Sequence, residues 1–305
     1  MANRGYTHRE RIDGASAGRS LLDHLAQFPH ATAEEWRERI AAGLVLLDGA
    51  EASAGSVLRA GQTLTWARPP WEEPAVPLSY GVLFRDEALL AVAKPRGLPT
   101  MPGGGEFLDH TLLALVRRRD PAASPMHRLG RGTSGIVLFA RTAAARSAVQ
   151  AAFRARSLRK VYRALCTASP KADIFITDAP IGAVAHPQLG TIRAASPAGQ
   201  PSRSTVRVLE RREGASLVEV ELDTGRPHQI RIHLAHAGHP LVGDPLYGPG
   251  GLPRPDVVSK PSDLGYWLHA WRLELLHPTT GTPLVIECAP PPPLRTTAES
   301  SPQDP

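Results

Sequence analysis

The stretch MHRLGRGTSGIVLFAR, Met126 to Arg141, joins two kinds of sequence. Its first half is basic and glycine-rich, and offers cations, hydroxyls and backbone N–H groups but no carboxylate. Its second half, from Ile136 to Ala140, is a short apolar run of the kind that fills a buried strand. Similar runs recur from Tyr80 onward: GVLFRD, LLAVAKP, KVYRALC, STVRVLER, SLVEVEL, HQIRIHL, YWLHAWRLEL and PLVIECA. Helical spacing is confined mainly to Leu108–Arg118 and Thr142–Arg156. Many strands joined by turns, with few helices, predict an α+β fold built on a mixed, largely antiparallel sheet with flanking helices.

The chain before Tyr80 reads differently. Residues 1–17 form a polar leader, and two helical segments follow in GRSLLDHLAQFP and TAEEWRERIAAG. In the second, Thr32 caps the helix with Glu35 reaching back, and Gly43 stands where a C-terminal glycine belongs. A hairpin unit with turns at Asp48-Gly49 and Ala60-Gly61 completes a small module over residues 18–68. A proline-rich linker over 69–79 leads into a large domain over 80–288, and the tail 289–305 is expected to be disordered.

Composition narrows the function classes. The 305 residues carry 35 basic and 29 acidic side chains, a net +6 that favours a polyanionic partner, nucleic acid first. The two cysteines, Cys166 and Cys288, both lie in apparent strands, so a reducing compartment fits better than a disulfide framework. No apolar run has the length of a membrane span, and the first residues lack a signal peptide's apolar core; a cytoplasmic protein is expected.

Four segments set charge or glycine beside apolar runs. Lys94 and Arg96 end a strand before a glycine-rich loop that lacks the Gly-Lys-Ser/Thr ending of a phosphate-binding P-loop. His127, Arg128, Arg131 and Thr133 lie in HRLGRGTSG. Lys160 and Tyr162 share one face of a strand by the period of two. Arg226, His228 and Arg231 fall in TGRPHQIRIHLAHAGHPLVGDPLYG with three more histidines. On a strand His228 and His233 would face opposite ways, and neither HExxH nor a cysteine pair accompanies them, so no metal site is expected. The Gly-Thr-Ser-Gly turn also lacks the G-x-S-x-G spacing of a hydrolase nucleophile.

Taken together, KPRGL, HRLGRGTSG, KVYRAL, APIG and the long TGRPHQ segment resemble the RluA-type RNA pseudouridine synthases over almost all of Tyr80–Ala289. Residues from about Gly18 to Arg68 resemble the S4-type RNA-binding domain that many members carry. The resemblance implies a pseudouridine synthase-like fold with an RNA-binding cleft and a small S4-like α/β RNA-binding module. It also implies a reaction that needs no cofactor or metal: uracil leaves its ribose, turns, and rejoins through carbon 5. In the family an aspartate of HRLDRxTSG engages the sugar, an arginine pairs with it, and a tyrosine lies against the base. The matching positions here are Gly130, Arg231 and Tyr162, with Lys94, His127, Arg128, Arg131, Thr133, Arg226 and His228 as RNA-binding candidates. Gly130 leaves the carboxylate position empty, with Asp109 and Asp120 as candidate replacements, and leaves Arg231 as a cation without its usual partner. Two readings stand open. One is a synthase acting on uridine of ribosomal or transfer RNA; the other is a catalytically inactive RNA-binding member. A monomer is expected in either case.

Overall fold

The computed structural model describes residues 2–28, 31–103 and 105–300. It divides into two compact units, Met1–Ala75 with Pro102–Asp109, and Val76–Met101 with His110–Pro305.

In the first unit, β1 (Tyr6–Arg11), α1 (Leu21–Leu25), α2 (Ala33–Ala41), β2 (Val45–Leu47), β3 (Ala50–Glu51) and β4 (Thr63–Arg68) make an antiparallel sheet of order β1-β4-β2-β3 beside two short helices. Leu21, Leu25, Trp36, Ile40, Val45, Leu58 and Leu64 form its core. The capping box of α2 is present, with the Thr32 N–H donating to the Glu35 carboxylate at 2.6 Å and the Glu35 N–H to the Thr32 hydroxyl at 3.2 Å. Asp48 and Gly49 both take positive φ, as the two-residue turn into β3 requires.

Three expectations need correcting here. The polar leader contains β1, which pairs in register with β4 from Tyr6↔Arg68 to Arg11↔Thr63. Its side chains are almost all exposed, so it shows no apolar alternation, and main-chain hydrogen bonds hold it. The first half of the presumed linker belongs to this unit, because the Trp71 N–H donates to Asn3 Oδ1 and the Glu73 carboxylate accepts from Asn3 Nδ2. That carboxylate also accepts from the Leu108 and Asp109 N–H groups, which ties the excursion 102–109 to this unit and breaks the continuity expected of 80–288.

The second unit contains β5 (Gly81–Arg85), β6 (Leu89–Lys94), α3 (Leu112–Arg117), β7 (Ser124–Pro125), β8 (Thr133–Ala140), α4 (Ala143–Ala155), β9 (Arg159–Thr167), β10 (Ile174–Thr177), β11 (Ile181–His186), β12 (Gly190–Ala195), β13 (Ser204–Arg212), β14 (Ala215–Leu222), α5 (Gln229–His236), β15 (Leu268–Leu276), β16 (Pro283–Glu287) and α6 (Thr297–Ser300). The large sheet runs β10-β13-β14-β9-β15-β8-β6-β5 and is antiparallel except where β15 meets β8. This is the mixed, largely antiparallel sheet that the strand-like runs predict. All eight residues of β8 are buried, since apolar clusters cover both of its faces. α4 fills its expected span, capped by Thr142 and closed by Arg156 at φ 55°. α3 is shorter than predicted, because Thr111 caps it.

HQIRIHL is a helix, not a strand. Gln229 to Ala235 are all buried, so α5 has no polar face and its alternating isoleucines imitate a strand. Its polar members are each satisfied locally: His233 bonds the Ser204 hydroxyl at 2.9 Å and the Ala179 carbonyl at 3.0 Å, and Gln229 reaches Thr224, Arg203 and Ser204.

The tail is ordered over residues 289–300, against expectation, and 301–305 lie outside the described residues. Leu294 is fully buried, Arg163 forms paired bonds of 3.0 and 3.1 Å to Glu299, and Glu210 accepts from Thr297. Composition alone misses these anchors because they lie on β9 and β13.

The glycine of the Thr-Ser-Gly turn is fixed by the sheet. Gly135 has φ +108°, and a Cβ there would collide with the Ala270 carbonyl and lie 2.6 Å from the Ala270 nitrogen, where β8 and β15 run side by side. Gly135→Ala is therefore expected to destabilise the protein by about 3 kcal/mol or more, combining strain with backbone overlap. Chemical denaturation beside the wild type measures this, and a loss below 1 kcal/mol would contradict the close strand approach.

Candidate active site

The site is built where three chain segments meet in the second unit: the loop before β8, the middle of β9, and α5 with the turn after it. Lys94 organises the first. It is 1% exposed, and its Nζ donates to the carbonyls of Leu98 at 2.6 Å and Pro95 at 3.0 Å, with Arg131 at 3.5 Å. Burial pulls its pKa down to about 7. Lys94 thus joins the Pro95–Leu98 loop to the loop containing Gly130, and Arg131 adds bonds to Gly97 through its side chain at 3.2 Å and its carbonyl at 2.8 Å.

His127 is packed against Phe153, ring centroids 5.8 Å apart, and its Nε2 accepts the Leu138 N–H at 3.1 Å. Burial, helped by Lys160, brings its pKa down to about 4. Arg128 is exposed, with no hydrogen bond or ion pair among the described residues. Gly130 is exposed and has no left-handed φ, whereas Thr133 is buried with its hydroxyl 3.4 Å from that of Tyr266.

Tyr162, on β9 opposite Ala270, is half-buried between two apolar clusters, and burial lifts its phenol to about 12. At neutral pH it is a neutral ring and a poor base. His228 opens α5 in the left-handed region at φ 59°, a conformation that costs a β-carbon residue energy and marks a constrained position. Its Nδ1 lies 2.8 Å from the Tyr247 hydroxyl, and burial, with Arg231 nearby, lowers its pKa to about 4. The Nε of Arg226 is buried without a hydrogen-bond partner among the described residues.

The sequence leaves Arg231 without a partner; the structure gives it one. Arg231 Nε and Nη2 donate to the two Asp244 oxygens at 2.7 and 2.8 Å, and Nη1 donates to the Pro261 carbonyl at 2.8 Å. The guanidinium stacks between the rings of Tyr266 at 4.3 Å and Tyr247 at 4.9 Å. It is a buried anchor rather than a free phosphate ligand.

The two candidate carboxylates have cationic partners of their own. Asp120 pairs with Arg141 at 2.6 Å, just past the far end of β8, a strand whose eight residues span about 25 Å from Thr133. Asp109 belongs to the first unit, 3.6 Å from Arg4. Asp120, held at that end of β8, does not replace an aspartate at Gly130. Among the described residues no group of three histidines, cysteines or acids is arranged to hold a metal.

Sequence reasoning passed over Tyr266 and took Asp244 as structural. The one signal for Tyr266 was the Gly130-Arg131-Gly132 spacing, since paired glycines mark a close approach. A Cβ at Gly132 would lie 2.8 Å from the Tyr266 ring, and one at Gly130 would lie 3.2 Å from its hydroxyl.

The Gly130 loop, Tyr162 and α5 thus lie together in the second unit, and comparison with known proteins gives the class. A family model described as RNA pseudouridylate synthase matches residues 88–236. An uncharacterized RNA pseudouridine synthase of Synechocystis sp. is 44% identical over 90% of this chain and 96% of its own length. RNA pseudouridine synthase 5 of Arabidopsis thaliana is 39% identical, covering 92% of each chain. Ribosomal large subunit pseudouridine synthase D of Nitrosomonas europaea is 33% identical over 91% of this chain and 82% of its own. Among solved structures, human RNA pseudouridylate synthase domain containing 1 aligns with a TM-score of 0.56 at 26% identity, covering 73% of this chain and 89% of that one. The chain belongs to the RluA-type RNA pseudouridine synthase family, a family of isomerases.

The neutral histidines give the site a pH signature. A histidine with pKa about 4 when folded and 6.5 when unfolded contributes stability that is complete above about 6.5 and lost as pH falls toward 4. Thermal melts over that range are expected to fall with acidification. In His127→Gln, whose amide oxygen can still accept from Leu138, the slope is expected to be shallower. An unchanged slope would mean that His127 titrates normally.

Proposed function

We propose that this chain converts uridine to pseudouridine in a structured RNA, ribosomal or transfer, and that it does so with Gly130, Tyr162 and Arg231 at the reacting centre. The observation that carries this reading is the convergence of the Gly130 loop, Tyr162 and the His228–Arg231 turn at one place in the second unit, although they are far apart in sequence. The target uridine must leave its stack to reach such a site. Tyr162 lies against the extruded base as a neutral ring, Arg231 positions its neighbours, and Arg128 and Arg226 meet phosphates. His228 and Arg131 shape the loop that receives the backbone. Lys94, His127 and Thr133 hold that loop from beneath.

The first unit acts as an S4-like RNA-binding module; its two helices packed on a small sheet, and the exposed basic side chains of β1, support that role. The protein works as a cytoplasmic monomer on RNA. The inactive RNA-binding reading has one observation in its favour: the position of the family's aspartate carries no carboxylate.

Two experiments test the proposal. Tyr162→Phe is expected to keep RNA binding and most turnover, while Tyr162→Ala loses turnover at least tenfold, because stacking on a base is worth about 1–3 kcal/mol. Wild-type behaviour of the Ala variant would remove Tyr162 from the site. For the cations, Arg128→Ala and Arg226→Ala are each expected to reduce the slope of log K against log salt by roughly 0.7–0.9 in filter binding. An unchanged slope would take those residues off the phosphate path.

A further inference from the structure

Gly130 brings no carboxylate to the centre, yet the space beside it holds a specific group. The Tyr266 hydroxyl lies 3.2 Å from the point where a Cβ on Gly130 would be, and the head of its ring abuts Gly132. We infer that Tyr266 takes the place of the missing aspartate: its hydroxyl is the group that meets C1′ of the extruded uridine. The inference rests on the synthase reading above.

The phenol is placed as a reacting group would be. Its ring lies under the Arg231 guanidinium at 4.3 Å, a cation set to stabilise negative charge developing on the ring. Thr133 Oγ1 is 3.4 Å from the hydroxyl, and the Tyr266 carbonyl accepts from Arg96 Nε at 3.3 Å, which fixes the backbone. Gly265 before it, at φ +145°, packs against the Gly243 carbonyl, so the chain enters Tyr266 along one path. The residue is 1% exposed, and its hydroxyl borders the exposed Gly130, whose absent side chain leaves a notch there. A ribose pressed onto the Gly130 backbone reaches the phenol through that notch.

The chemistry closes without a co-reactant. The phenol oxygen attacks C1′ as the C1′–N1 bond breaks; the bonding pair passes to uracil, and the phenolic proton goes to N1. After the base turns, the C5 pair forms the new bond to C1′, the oxygen–C1′ bond breaks with its pair returning to oxygen, and that oxygen takes the proton from C5. Uridine becomes pseudouridine, and Tyr266 is regenerated. Tyrosine serves as the nucleophile in other glycosidic cleavages, so the exchange of carboxylate for phenol has chemical precedent.

The test uses the full-length protein and cellular ribosomal and transfer RNA labelled with tritium at uracil C5, which is released to water when the new bond forms. Tyr266→Phe keeps the ring and is expected to melt as the wild type does, bind RNA equally, and release tritium at least a hundredfold more slowly. Gly130→Ala leaves the phenol intact but fills the notch with a methyl group, and the same loss is expected. Wild-type release with Tyr266→Phe or Gly130→Ala within threefold of it would overturn the role of Tyr266 and leave the synthase reading standing. A loss of release matched by an equal loss of RNA binding would also overturn it, making the hydroxyl a binding group. No release by the wild type from either RNA would overturn both readings.

Discussion

A guanidinium and a carboxylate, with side chains 2% and 1% exposed, meet at 2.7 Å inside the second unit, and the site is arranged around them. Burying two charges is costly, so such a pair persists only if every lone pair and proton is satisfied. Here each Arg231 side-chain nitrogen and each Asp244 oxygen has a partner. Asp244 accepts from Arg231 twice and from the Leu246 and Tyr247 N–H groups, while the third Arg231 nitrogen donates to Pro261 and the guanidinium faces meet two tyrosine rings. Removing either partner of such a pair would strand a buried charge, at about 3–5 kcal/mol. The pair therefore fixes α5, the turn after it and the strand start at Tyr266 as one block.

That block explains why the rest of the loop is glycine. Once Tyr266 is held under Arg231, its ring occupies the space in front of residues 130 and 132, and a Cβ at 132 would lie within 3.0 Å of three of its atoms. The histidines around the block follow the same logic. Burial keeps His127 and His228 neutral, and each spends a ring nitrogen on a fixed partner, Leu138 or Tyr247.

The sheet was legible because its strands are either buried on both faces, like β8, or carry the apolar alternation of β9 and β14. Elements that lack these patterns were not. β1 and β10 expose most of their side chains and are held by main-chain pairing. α5 is buried on every side, so period 3.6 leaves no trace in it. Within the site, the motif residues were legible as a set, but their partners were not. Asp244 read as structural, and the sequence said nothing of which cation it would hold. Tyr266 is separated from Thr133 by 133 positions, with no local feature to connect them.

The coupling between Gly130 and Tyr266 also bears on how the carboxylate could be absent. An aspartate at residue 130 would place its Cβ 3.2 Å from the phenol oxygen, tighter than ordinary contact, and its carboxylate would find Arg231 already held by Asp244 from the α5 side. The backbone itself imposes no bar, since Gly130 does not use left-handed φ. The obstacle is the neighbour. Glycine at 130 and tyrosine at 266 are thus two halves of one packing solution, in which an aromatic hydroxyl occupies volume that a carboxylate would otherwise fill. A side chain at 130 meets the phenol oxygen before anything else, the next atom being the Thr133 hydroxyl oxygen at 3.7 Å. Gly132 is the second glycine that lets the ring in, since a Cβ there would lie 2.8 Å from it.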